Sequence, residues 1–271
     1  MRATAVRRTA LTASAAVLAL VVTACGGGDQ AGAEAGDKEA KGGAGSTEAA
    51  AKALTAAELD KLALAMADLK DHQVKKPGKA DLFDPATLSV EQAECEPVAQ
   101  ALSALPAGEP AASAQRLVTQ NSKAAGEGMP SMEELAEMTE EEAEAAMLDS
   151  LDITKTMTSL WSYDADGAER NLAALRAAGQ KCAGGFSMAV GGEKQQVTKV
   201  TEEKLAVGED AVAWTVGTKT DGGTPAETKV VVFRQGTTLA GFSSFNIAAA
   251  GRGEETAQPT AVIDAQEAKL R

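Results

Sequence analysis

Large side chains are scarce in this sequence. Its 271 residues hold only 2 Trp, 1 Tyr and 5 Phe, while 58 are alanine. The apolar fraction is 44%, but much of it is methyl groups rather than bulk. Buried area per residue is therefore small, and one domain with a modest core is the upper bound once non-globular ends are removed. Such a core benefits from a covalent staple, and the sequence holds two cysteines in the part that can fold, Cys95 and Cys182.

The first 53 residues cannot contribute to that core. Arg2, Arg7 and Arg8 precede an apolar run from Leu11 to Val22, which is the pattern of a signal peptide over residues 1–24. The run is shorter than the roughly 20 apolar residues of a comfortable membrane span. Val22-Thr-Ala-Cys25-Gly resembles a bacterial lipobox, which implies diacylglycerol on the Cys25 thiol and cleavage before it. More than one acyl chain on a residue gives stable membrane attachment. Arg7-Arg8 leaves both general and twin-arginine export open. Residues 26–52 are almost all Gly, Ala, Glu, Asp and Lys, without one Leu, Ile, Val or aromatic, so residues 25–53 read as a lipidated cysteine and flexible tether. Such a tether spans roughly 30 Å r.m.s.. The expected location is the extracytoplasmic face of the cell membrane, with the membrane as partner through Cys25.

Charge excludes one class of partner. The formal net charge is −13, and residues 1–24 carry three Arg and no acid, so the chain from Cys25 onward stands at −16. Nucleic-acid binding needs clustered cations to displace counterions, and none are seen.

Residues 54–271 read as a single α+β domain. Thr55-Ala-Ala-Glu58 is a capping box, and Leu59, Leu62, Met66 and Leu69 predict one helix face. A polar stretch over 71–84 reads as loop or a short edge strand. Pro97 predicts a helix start, with Val98, Ala101, Leu102 and Leu105 inward and Pro106 as its stop. Residues 115–120 and 152–162 predict strands. Between them, residues 126–151 form an acidic insertion. Eight acids and no base lie between Ser131 and Ser150, and Ser131-Met-Glu-Glu134 and Thr139-Glu-Glu-Glu142 are both capping boxes. Asp164 or Asp166 caps a helix running to Cys182. The last third alternates as strands, with turns at Asp221-Gly222-Gly223 and Gln235-Gly236. The expected sheet is antiparallel, of about five or six strands, with helices packed on it and a closing helix from Pro259.

Chemistry is sparse. In an exported chain an even cysteine pair reads as a disulfide, and no C-x-x-C favours redox work. His72 is the one histidine, set among polar residues and read as surface. No nucleophile–base set is present, so no catalytic residue, cofactor or metal is assigned. Met129, Met132, Met138 and Met147 could hold Cu(I) through thioethers, but their spacing fits an apolar face better. Asp164-Ala-Asp166-Gly167 shares positions with a calcium loop but lacks its spacing, and helix capping accounts for it.

Four segments together resemble a known family: Leu54-Thr55-Ala-Ala-Glu-Leu59, Cys95-Glu-Pro-Val98, Cys182-Ala-Gly-Gly-Phe186, and Val230-Val-Val-Phe233-Arg-Gln-Gly236. They are similar to the PknH-like extracellular sensor domain of actinobacterial lipoproteins and kinase ectodomains, over about residues 54–271. The resemblance implies a central antiparallel sheet, structural disulfides and a cleft that binds a ligand. The chain departs from that pattern in having two cysteines in the domain and in its acidic insertion. Trp161 and Tyr163, at a strand–helix junction, are the expected cleft floor. The expected function is therefore a non-catalytic, sensor-like ligand-binding lipoprotein. The alternative is an envelope scaffold that meets a partner protein through the acidic insertion.

Overall fold

Thr55 opens the first helix as its capping box predicts: its side chain accepts from the Glu58 N–H, while the Glu58 carboxylate accepts from the Thr55 N–H at 2.8 Å. The computed structural model describes residues 51–220, 223 and 225–271. The signal segment, Cys25, nearly all of the tether and the turn at Asp221-Gly222 lie outside the described residues. In chain order the elements are α1 (Ala56–Leu62), β1 (Gln73–Lys75), β2 (Ser89–Val90), α2 (Glu96–Leu102), β3 (Ala112–Asn121), α3 (Lys123–Glu127), α4 (Met132–Glu137), α5 (Glu140–Ser150), β4 (Ile153–Ser162), α6 (Gly167–Lys181), β5 (Phe186–Val190), β6 (Glu193–Glu202), β7 (Asp210–Thr220), β8 (Ala226–Gln235), β9 (Thr238–Asn246), α7 (Ile247–Arg252) and α8 (Thr260–Leu270).

The helix expected to run to Leu69 stops at Leu62. Ala63 is extended, Leu64 turns into the core and Met66 is exposed. A buried cation explains the break. Arg116, on β3, is 9% exposed. Its guanidinium donates to the Leu64 and Asp60 carbonyls, to Asp60 Oδ1 and to the Gln115 carbonyl. Continuing the helix would redirect the Leu64 carbonyl into the helix ladder. A buried guanidinium left without acceptors costs more than a lost turn of helix. Hydrogen bonds from Lys76 and Arg116 hold the Asp60 carboxyl below its usual range.

All nine strands among the described residues form one antiparallel sheet, in the order β1-β3-β4-β9-β8-β7-β6-β5-β2. The count exceeds the five or six expected. The edge strand β2 has only two residues, too short for a period to show, while β1, of three residues, is the short edge strand that the polar stretch over 71–84 allowed. Residues 186–200 fold back on themselves at Gly191-Gly192, both with positive φ, and so supply two strands. Edges this short offer little template for pairing with another chain.

The central strands carry a core on each face. Val230 and Val232 of β8 join a core with α2 and α6, while Val231 and Phe233 join a second core with α1 and α8. That is why Val230–Phe233 is a continuous apolar run. Two glycines make the first core possible. A Cβ on Gly241 would stand 2.5 Å from the Trp161 ring, and one on Gly179 would stand 2.7 Å from the Trp214 ring. Each tryptophan fills a space that its neighbour leaves by having no side chain.

The acidic segment folds as α4 and α5, with α3 leading into it, and both predicted capping boxes form. The Ser131 and Thr139 N–H groups hold the Glu134 and Glu142 carboxyls below their usual range. Leu148 packs over Gly251, and Arg252 pairs with Asp149 at 2.5 Å, docking α5 on α7. At the start of α6 Asp166 holds the cap position but makes no capping bond, its carboxylate pairing with Arg170 instead. Asp164 accepts from the Ala53 N–H at 3.0 Å. The Ala165 N–H donates to the Ala51 carbonyl, so the chain is already fastened to the domain at Ala51.

Candidate functional site

The Cys95–Cys182 disulfide joins the start of α2 to the end of α6, with Cα atoms 5.8 Å apart and both residues buried. It holds the two helices side by side over the part of the sheet built by Val212, Trp214, Val230, Val232 and Leu239. Towards the other ends of these strands the same face is not covered. There it forms the floor of a groove of about 590 Å³. That volume lies within the range of small-molecule sites.

Strand alternation decides the floor. Leu117 on β3, Lys155 and Met157 on β4, Ser243 and Phe245 on β9, and Thr228 on β8 all line the groove. They share one face because Leu117 pairs with Met157, Met157 with Ser243, and Lys155 with Phe245. One wall is the end of α2, held by the Ser243 hydroxyl donating to the Leu102 carbonyl at 2.7 Å. A second is the loop carrying Asp81 and Phe83, where Asp81 accepts from the Gly78 N–H. The end is closed by α7, whose first N–H groups are capped by Asn246 Oδ1 at 2.9 Å. Phe83 and Phe245 are 46% and 43% exposed, large apolar surfaces left open to water.

The cleft residues expected from sequence lie elsewhere on this face. Trp161 is 1% exposed and borders a smaller cavity of about 250 Å³. That cavity shares Asp81, Phe83, Ser103, Ala104 and Met157 with the groove, so Trp161 stands behind the groove rather than in its floor. Tyr163 is buried in the α2–α6 core, its hydroxyl donating to the Ala107 carbonyl at 2.6 Å. Burial pushes that hydroxyl well above the usual phenol range. His72 is half-buried rather than on the open surface. It lines a pocket of about 170 Å³ with Gln120, Thr154, Gln258 and Thr260, because the chain before β1 folds against the start of α8. Met129, Met132 and Met147 are exposed on the acidic helices. Among the described residues no group of three or more His, Cys, Asp or Glu is gathered to hold a metal, and no helix is long and apolar enough to cross a membrane. Cys25 lies outside the described residues.

The groove residues that sequence reading missed are Phe83, Leu117, Lys155, Met157 and Phe245. One signal was available: Lys155, Met157 and Trp161 fall on one face of β4 by period two. The pairing that sets Phe245 beside Lys155 could not be read locally.

No family model matches the chain, and no curated protein matches it. Among solved structures, the extracellular domain of PknH from Mycobacterium tuberculosis aligns with it at 10% identity and a TM-score of 0.48, covering 81% of this chain and 97% of that one.

Proposed function

We propose that this chain is a lipid-anchored, extracytoplasmic lipoprotein whose domain is a non-catalytic, sensor-like module that binds a small ligand in the groove. The groove carries the reading: a wide concavity with exposed phenylalanines, on a sheet face that is otherwise sealed by α2 and α6. An open apolar patch on a soluble surface marks a binding site more often than chance. The lipobox-like run ending at Cys25 supports the anchor, and a buried disulfide suits a compartment outside the cytoplasm. The sensor-like character rests on the segment resemblance at Leu54–Leu59, Cys95–Val98, Cys182–Phe186 and Val230–Gly236.

The anchor is tested by the intact mass of the protein purified from membranes. A chain starting at Cys25 with diacylglyceryl mass added is expected. A bare chain would remove the anchor.

Binding is tested by native mass spectrometry of residues 26–271, exported behind a conventional leader and purified without detergent. An extra mass released on denaturation is expected for the unaltered sequence. It should be absent from Met157→Trp, which fills the groove floor, while the melting temperature moves by only a few degrees. A bare mass in both would favour the second reading, a scaffold that docks a partner through the acidic helices. The exposed Met129, Met132 and Met147 among those acids are what favour that alternative.

A further inference from the structure

We propose, resting on the binding role above, that the groove's ligand is a single-chain amphiphile with a carboxylate head. Lys155 receives the head, and Met157, Leu117, Phe245 and Phe83 receive the chain.

Among the described residues Lys155 is the one cation that lines the groove. It stands two residues from Met157 on the same strand face and is the direct cross-strand partner of Phe245. Ammonium and apolar floor are thus adjacent, which is the pattern an amphiphile needs. Lys155 makes no ion pair among the described residues, as is true of most lysines there, so no acid already neutralises its ammonium. Lys155 as a residue is half-buried among apolar side chains, and a negative head group brought to such a site gains more than it would in open water.

The two acids that line the groove do not compete for this role. The Asp81 carboxylate is engaged with the Gly78 N–H and holds its own loop. Glu227 leaves β8 on the face opposite Thr228, the side where Val231 and Phe233 enter the second core. A single lysine matches a single negative charge. A phosphomonoester carries about −1.5 to −2 near neutrality and would lack a second cation here.

The test is displacement of a dansyl-labelled undecanoic acid from residues 26–271. The competitors are laurate, its neutral glycerol ester monolaurin, and a lauroyl lysophosphatidylglycerol. Laurate is expected to displace the probe at a concentration roughly ten- to a hundredfold below that of monolaurin. Lys155→Gln should erase that preference and leave monolaurin unchanged, and Lys155→Arg should keep most of it. An unchanged laurate affinity in Lys155→Gln would overturn the proposal. Stronger displacement by the lysophospholipid than by laurate would also overturn it, assigning the head to a phosphodiester. If no probe binds but native mass spectrometry shows a ligand, the amphiphile chemistry fails and the binding role stands. If neither shows binding, the binding role itself fails.

Discussion

Trp161→Ala is expected to lower the unfolding free energy by about 3–5 kcal/mol. The ring is 1% exposed and seated over Gly241 in the core between the sheet and α2 and α6. What surrounds a cavity decides its cost, and here Gly241 has no side chain and the alanines of this core only a methyl to bring into the space. The loss should fall at the upper end of the range. For a domain of this size the melting temperature should drop by about 10 °C or more. The converse variant, Gly241→Ala, should be destabilising by overpacking, since its Cβ would stand 2.5 Å from the ring. Urea titration followed by circular dichroism measures both. A Trp161→Ala loss below about 1 kcal/mol would mean that this core is not organised around the ring.

The second large effect is expected from removing the disulfide. Cys95→Ser with Cys182→Ser opens a loop set by a sequence separation of 87. The chain-entropy model then gives a loss of about 4.5 kcal/mol. The cost bears hard on a core this poor in large side chains, because total stability is only about 5–15 kcal/mol. Both sulfurs are buried, so reductant should act on the folded protein only slowly and show its effect once urea opens the chain. The urea midpoint of the double serine variant against the oxidised protein is the measurement. A shift of less than about 1 kcal/mol would show that the unfolded chain is already restrained without the bond.

The two effects are linked through the groove. The disulfide holds α2 beside α6, and the end of α2 is the groove wall that Ser243 fastens through the Leu102 carbonyl. Losing the bond should therefore loosen that wall before it unfolds the C-terminal strands, which hold each other by their own ladders.

Some of this architecture was legible because its causes are local. The capping boxes at Thr55, Ser131 and Thr139 each need only a residue and its third neighbour, and all three form. The β7–β8–β9 meander follows from alternation within ten-residue stretches and from short connections. The pairing of Cys95 with Cys182 needed only an even count within the foldable part of the chain.

Other features depend on partners far along the chain. Nothing near Leu64 announces that α1 must end, since the reason is Arg116, 52 residues later. A strand of two residues carries no period, so the edge β2 appears only when β5 is there to pair with it. Of the two caps offered at the start of α6, Asp166 takes the position but its carboxylate pairs with Arg170 one turn on, and Asp164 accepts from the Ala53 N–H. The choice of Trp161 and Tyr163 as the cleft floor followed residue size, whereas the fold uses both inside the core, where so few large side chains are available.

By itself, then, the sequence determined the capped helices, the long strands with the face each turns inward, and that one disulfide ties the domain, because capping, alternation and cysteine count act over a few residues. Only the tertiary structure decided where α1 stops, how many strands the sheet holds and where its face is left open. The groove exists because α2 and α6 cover only one end of the strands on that face. Its single cation meets its apolar floor because antiparallel pairing sets Lys155 beside Phe245, far apart in the chain and adjacent in the sheet.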